Sequence, residues 1–448
     1  MTTTRLLRRT ATALTSLAVA LAGTVVLTAP PAEAKVSVTD YGFRTTAFGT
    51  RVRGEGVGVY SGRTAYAYIA CTRLAGLNKS NTRSAHETGA EVRLPAQSPI
   101  VYVGAAVSES STFRKDGGVG SRSTNAISTV NLGPIAIKGL RTEAQAWADG
   151  RGRLHASSTA SGAVTLTAET GTPLDGVLGE VAKPLSTLLE NIPADGLEIP
   201  GLGRITVNAS GKRVTRRLAA ATARSLRVEL ASPADTTITI GRSNARIVKD
   251  LPSGVFRGNG WGAEMPSALG GVLATGRIAN SPLPCQGTGG DVREAHAAQL
   301  DPGNTGQLRI GALTGRAYGV QHRDGSAEAW TEGRVAGLKL GPLELTGIVG
   351  RANVRQTRSG KIRSDIHGSS IGTMYVDGAK QGELPDPGQT ICVGQGDQCP
   401  LKVTFFDKQT YDRGVQVTAV KIQVLDLEGV PAGTVIMLGN AVAKVHRH

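Results

Sequence analysis

Aromatic side chains are scarce in this chain, with 3 Trp, 8 Tyr and 6 Phe among 448 residues. Modules that hold nucleic acid or sugar by stacking need such rings, and no module motif is present, so no nucleic acid is expected as a partner. The cluster of Tyr41, Phe43, Phe48, Tyr60, Tyr66 and Tyr68 near the start reads as core. Cysteine is rarer still. Four residues cannot staple a chain of this length, so packing must hold it together. Beyond the N-terminus, no stretch approaches the ~20 apolar residues of a membrane-spanning helix. His86, His155, His296 and His322 are scattered, and neither His-Glu-x-x-His nor Cys-x-x-Cys spacing occurs. No metal site and no cofactor is therefore expected.

What the chain has in abundance is small or basic. It carries 59 Gly, and its 50 Lys and Arg outweigh 35 Asp and Glu, for a formal charge of +15. With 40% hydrophobic residues it is too apolar to be a disordered chain. Arg outnumbers Lys 36 to 14, which together with the Ala, Gly and Val content points to a GC-rich genome.

The first residues read as a secretory signal. Arg5, Arg8 and Arg9 precede an apolar run from Ala11 to Leu27, and Ala32-Glu33-Ala34 offers a small-x-small cleavage site. A mature start at Lys35 follows, with residues 1–34 removed. The other end, Ala443-Lys444-Val445-His446-Arg447-His448, has no hydrophobic tail, so a secreted, extracellular product at most loosely held by the cell wall is expected. After cleavage the charge is unevenly shared. Residues 35–250 hold 27 basic and 17 acidic side chains, whereas 251–448 hold 20 and 17.

The two halves echo each other. Phe43-Arg44-Thr45-Thr46-Ala47-Phe48-Gly49 returns as Phe256-Arg257-Gly258-Asn259-Gly260-Trp261-Gly262, and Cys71 returns as Cys285. Leu132-Gly133-Pro134 matches Leu340-Gly341-Pro342, and Ile238-Thr239-Ile240-Gly241 matches Ile436-Met437-Leu438-Gly439. Four markers in one order predict a tandem duplication of a β domain, 35–250 and 251–448, joined near Lys249–Gly254. Within each unit the hydrophobic period is two, as in Ile205 and Val207, then Leu226, Val228 and Leu230, then Ile238 and Ile240. Val415, Val417 and Ala419 give way to Val420, Ile422 and Val424, a parity switch that suggests a bulge. Mainly β units are expected, each an antiparallel sandwich or curved roll. One amphipathic helix is predicted over 173–190, from Leu174, Val177, Leu178, Val181, Leu185, Leu188 and Leu189 behind Pro173.

These features resemble the choice-of-anchor P family of exported actinobacterial proteins. The likeness is carried by residues 41–50 (Tyr41 to Thr50), Cys71-Thr72, Leu132-Gly133-Pro134 and residues 201–208 (Gly201 to Asn208). The resemblance implies export and an envelope-facing role, and it brings no catalytic residues. The family is named for variable C-terminal sorting signals, which this sequence lacks.

Few residues suggest chemistry. Gly368-Ser369-Ser370-Ile371-Gly372 fits the G-x-S-x-G of hydrolase elbows, with Asp365 and His367 nearby, but that chemistry needs Ser on a strand-to-helix turn with separate acid and His partners. The surrounding pattern is β, so no enzyme is expected. Gly54-x-Gly56-x-Gly58 and Gly258-x-Gly260-x-Gly262 lack the helix start of a phosphate loop and read as sheet or bulge glycines. His446 and His448 read as a frayed tail. Cys392 and Cys399 bracket a short Gly-containing loop and predict a local disulfide. Cys71 and Cys285 either pair across the two units or remain buried thiols. Lys212, Arg213, Arg216, Arg217, Arg224 and Arg227 form the densest basic cluster. The matching stretch of the second unit, around Lys408, Asp412 and Arg413, is mixed in sign. The expectation is a non-catalytic secreted binding or structural protein of the bacterial cell envelope or extracellular matrix, with anionic cell-wall polymer as partner of the first unit. The alternatives are an amphiphile carrier with an apolar cavity closed by the 173–190 helix, and, least favoured, a serine hydrolase. Protein collected from culture medium should have the intact mass of a chain beginning at Lys35, and retention of residues 1–34 in a membrane fraction would contradict the signal reading.

Overall fold

Alternating hydrophobic residues become antiparallel strands throughout the computed structural model, which describes residues 35–54, 59–60, 63–84, 86–88, 101–132, 135–166, 196–199, 203–231, 236–267, 275–300, 307–394 and 398–446. Residues 1–34 and the segment predicted as a helix, 173–190, lie outside them. Among the described residues every regular element is a strand, and no helix is long and apolar enough to cross a membrane.

The strands form four sheets, two from each half of the chain. Sheet I runs Leu197–Ile199, Gly203–Val214, Leu218–Leu230, Thr236–Val248, Ser37–Gly54 and Val59–Tyr60, with Ala67–Ala75 also on Ser37–Gly54. Sheet II is built around Ala106–Lys115, Gly118–Leu132, Ile135–Ala148 and Leu154–Leu166. In the second half, sheet III runs Thr390–Val393, Leu401–Tyr411, Gly414–Val424, Val435–His446, Val255–Ser267 and Thr275–Ile278, and sheet IV centres on Leu313–Gln321, Ala327–Leu340 and Leu343–Gln356. Sheets I and III share one wiring, in which the last strand of the half lies beside the first.

Each sheet contains one row where pairing skips and the buried face changes parity. In sheet III, Asp407 pairs with Thr418 and Phe405 with Val420, while Thr418 pairs with Asn440 and Val420 with Leu438. The register is the same on both sides of the skipped row, so no residue is inserted and the expected bulge is not what switches parity. Instead Gly439 takes φ 60° and Phe406 φ 47°, left-handed values that rotate the following side chains to the other face. Sheet I repeats this at Asn208 (φ 47°) and Gly241 (φ 61°) and sheet IV at Gly347 (φ 59°), while in sheet II Gly139 (φ 61°) keeps register with Gly118–Leu132 but coincides with a one-residue shift against Leu154–Leu166. Glycine suits such a position because it has no Cβ to clash, and Asn tolerates it better than most residues.

Sheet I packs on sheet II, and sheet III on sheet IV. Each pair encloses two apolar clusters. In the first half one holds Ile127, Leu226, Val228, Ile238 and Ile240, and the other Phe43, Ala144, Ala219 and Ile247. Between them the layer is polar and small. Thr142 and Ser243 are fully buried and share a hydrogen bond of 2.8 Å, and Ser121 Oγ donates to the Arg246 carbonyl at 3.1 Å. The second half brings the backbones themselves together. A Cβ on Gly350 would overlap the Gly439 carbonyl oxygen, one on Gly333 that of Trp261, and one on Gly260 that of Glu332. Gly258, Gly260 and Gly262 thus lie within a strand, and Gly260 serves close sheet approach.

The halves meet through a disulfide. Cys71 and Cys285 pair, with Cα atoms 5.3 Å apart, inside an apolar cluster with Val248, Leu251 and Val255. Cys392 and Cys399 pair as expected, at the same Cα separation. In the chain-entropy model the 214-residue separation of the first bridge corresponds to about 5 kcal/mol. The junction is pinned rather than loose. Buried Ser253 donates to the Ser326 carbonyl at 2.8 Å, and Gln321 Nε2 donates to the Gly254 carbonyl at 3.0 Å. Residues Lys35–His448 accordingly form one compact unit. Gly350→Ala should force sheets III and IV apart and cost at least about 2 kcal/mol in chemical denaturation. Gly211→Ala, where the new Cβ meets nothing within 4 Å, should stay within about 0.5 kcal/mol of the parent.

Candidate functional site

The outward face of sheet I carries most of the clustered positive charge. The skipped row in this sheet lets residues three apart in sequence share that face. On one side of it Phe48, Arg242 and Arg224 lie in register across three strands, and on the other side Arg51, Thr239 and Arg227 do. The next row adds Arg53, Thr237, Glu229 and Arg204. Together these rows line a cleft of about 1040 Å³. Arg63, in the loop before Ala67–Ala75, covers the Phe48 ring that lines it, with its guanidinium 5.4 Å from that ring centroid and 5.0 Å from that of Tyr66, whose hydroxyl accepts from Arg63 Nη1 at 2.9 Å.

Carboxylates are outnumbered here. Glu229 pairs with Arg227 at 2.7 Å and Glu198 with Arg204 at 3.0 Å, both near the rim. Deeper in, the Nε atoms of Arg224 and Arg242 are buried and have no hydrogen-bond partner among the described residues. Burial holds the Arg51 guanidinium down to about 9, with the charges of Arg63, Arg53 and Arg242 adding to the effect. Burial also lowers Arg242, reinforced by Arg224, Arg63 and Arg53, and it lowers Arg224, where Arg227 adds and Glu229 opposes. All three remain cations at neutral pH, so the folded protein holds crowded, partly desolvated positive charge. A second basic group follows along the face. Arg246 is lowered to about 10 by burial and by Arg44, Arg293 and Arg213.

The six basic residues singled out in the sequence do not form one patch. Arg224 and Arg227 line the cleft. Arg213 lies in the Arg246 row, but Lys212 shares the opposite face with Ala221. Arg216 and Arg217 sit at the hairpin between Gly203–Val214 and Leu218–Leu230, where Arg217 pairs with Asp250 at 3.1 Å. Local density along the chain is the reason for the mismatch, since it gathers turn residues whose side chains diverge. Arg51, Arg53, Arg63, Arg204 and Arg242 were missed. The signal for Arg51, Arg53 and Arg242 was their place at the polar positions of alternating strands.

The G-x-S-x-G segment connects two short strands, Ile362–Asp365 and Thr373–Val376, rather than a strand and a helix. Ser369, not Ser370, makes the side-chain contacts, accepting from Arg351 N at 2.9 Å and donating to Arg351 O at 3.2 Å. Asp365 accepts from Asn353 Nδ2 at 2.7 Å and from the His367 backbone at 2.9 Å. Among the described residues no three His, Cys, Asp or Glu side chains gather as metal ligands do. His155 meets Asp149 at 3.1 Å and stacks on Trp147.

His446 is no frayed tail. It pairs with Val255 at the end of Val435–His446, and cross-strand pairing has drawn it into the sheet. His448 lies outside the described residues. Burial, with Arg413, Arg257 and Lys444 nearby, pushes the His446 imidazole down to about 4. Between that value and the ordinary 6.5 the unfolded chain binds more protons, so stability falls as pH drops through this window. Denaturation midpoints measured from pH 7 to pH 4 should therefore decline less in His446→Gln than in the parent.

No family model and no curated protein matches this chain. A solved structure titled "Crystal structure of lipopolysaccharide binding protein" is similar at 10% identity and a TM-score of 0.10, over 87% of this chain and 100% of that one. A likeness of that size carries no argument about fold or ligand.

Proposed function

We propose that this is an exported, non-catalytic protein of the bacterial envelope or extracellular matrix, built by tandem duplication, whose first half binds an anionic cell-wall polymer through the outer face of sheet I. The observation that carries this reading is the excess of half-buried, carboxylate-poor arginine along a cleft in one sheet of the first half. Crowded cations destabilise a fold unless something compensates, and a polymer bearing many negative groups would do so while releasing its counterions. Arginine suits the task because its planar fork meets phosphate and carboxylate with two hydrogen bonds and is weakly hydrated. Export is supported by the N-terminal signal pattern and by two disulfides, which persist in oxidising compartments. Duplication is supported by the shared wiring of sheets I and III and by the recurrence of the left-handed glycines. The 173–190 segment, on which the carrier reading turns, lies outside the described residues.

The test is binding of the purified protein to immobilised poly(glycerol phosphate) and polygalacturonate over a salt series. Affinity should fall at least about tenfold between 50 and 200 mM NaCl if several phosphates are engaged. Arg204→Glu with Arg227→Glu should weaken binding strongly, whereas Lys402→Glu with Lys421→Glu in sheet III should have little effect. Equal losses in both pairs, or no binding to either polymer, would sink the proposal.

A further inference from the structure

Sheet III places neutral or balanced residues where sheet I places arginine. The row Phe48–Arg242–Arg224 corresponds, by strand order and distance from the skipped row, to Trp261–Asn440–Thr418. The row Arg51–Thr239–Arg227 corresponds to Glu264–Met437–Lys421. Even the ring-capping arginine recurs. Arg277 lies 4.0 Å from the Trp261 ring centroid, as Arg63 covers Phe48. In sheet III the charged and amide groups of these rows find partners locally. Glu264 pairs with Arg277 at 3.4 Å, Thr418 donates to Asn440 at 2.8 Å, and Lys421 faces Asp407 at 3.8 Å. In sheet I the acid opposite Arg63 has become Arg51, and the Thr–Asn pair has become two arginines directly opposite each other. The same scaffold is thus stable with a neutral constellation, so the arginines are not needed for the fold.

We propose that Arg51, Arg63, Arg224 and Arg242 form a discrete site for a tetrahedral phosphoryl group. This inference rests on the polyanion reading for its location and deepens it by naming the group recognised. Arg224 and Arg242 are directly opposite on adjacent strands, about 5 Å apart at their Cβ atoms. Arg51 lies on the next strand three positions further along, beyond the skipped row, so its long side chain has to reach back toward them. A phosphoryl group offers three or more oxygens and up to two charges, so it can accept from several such forks at once. A carboxylate offers only two oxygens and one charge, so it balances fewer of these cations. The buried Nε atoms of Arg224 and Arg242 supply donors that nothing else among the described residues takes up.

The triple variant Arg51→Glu, Arg224→Thr, Arg242→Asn gives the first half the residues that the second half already accommodates, so folding should survive. Its circular dichroism and melting point establish that before binding is read. Thermal shift and calorimetry are then run in 0.5 M NaCl with inorganic phosphate, with a glycerol phosphodiester oligomer, and with chloride at matched ionic strength. The parent should melt higher as phosphate rises and then saturate, with no response to chloride, and the triple variant should bind at least about thirtyfold more weakly. Tighter binding of the oligomer than of inorganic phosphate identifies a polymer diester as the source, and the reverse order a free phosphate or monoester. A parent that treats phosphate like chloride, or a folded triple variant that responds like the parent, overturns the site. If the site fails while both polymers still bind, the polyanion face stands without it. If phosphate binds and neither polymer does, the site stands and the polymer reading falls.

Discussion

A left-handed residue in the middle of a strand is the constraint on which this architecture rests. At Gly241, Gly347 and Gly439 the chain turns its side chains over without losing register, and at Gly139 it does so beside a one-residue shift against Leu154–Leu166, so strands of 12 to 14 residues keep one face on the core past the kink. The two apolar clusters in each sandwich lie on either side of these rows, and the polar or glycine layer fills the space between them. The kink also decides what faces outward. Because residues three apart share the solvent side there, Arg224 stands with Arg227 and Phe48 with Arg51, and charge becomes denser than simple alternation permits.

The halves solve the same packing problem with different chemistry. Sheets I and II meet through hydroxyls, so their small buried polar groups hydrogen-bond across the gap, as Thr142 does with Ser243. Sheets III and IV meet through glycines, so their backbones approach where side chains would otherwise keep sheets about 10 Å apart. Around Glu332, buried at 2% exposure in sheet IV, Arg316, Arg334 and Arg351 supply the compensating charge. In the sheet I cleft Glu198 and Glu229 pair with Arg204 and Arg227 at the rim, while the buried Nε atoms of Arg224 and Arg242 have no partner among the described residues.

Much of the fold was legible because sandwiches write their inner faces as a period of two. Ile205, Leu226, Val228, Ile238 and Ile240 are all buried where alternation placed them. The parity switch at Ala419 was also visible, but its cause was not, since a bulge and a left-handed kink leave the same trace in a single strand. Only register on both neighbours separates them. The site was half legible. Arg224 and Arg227 could be found by density, whereas Arg51 and Arg242 are distant in sequence and meet only because the last strand of the half lies beside its first. The pairing of Cys71 with Cys285 was one of two open readings for a related reason, for it depends on how the halves abut.

That bridge also fixes how tension would travel through the molecule. A pull applied at Ser37 and at His446 passes from the first residues to Cys71, across the sulfurs to Cys285, and on to the last strand. The chain from Cys71 to Cys285, a sequence separation of 214 and about 700 Å when extended, stands outside that path. Sheet II, the long return strands of sheet I and the basic cleft they carry in part are shielded from stretching while the bond holds, and reduction would more than double the length the chain can release.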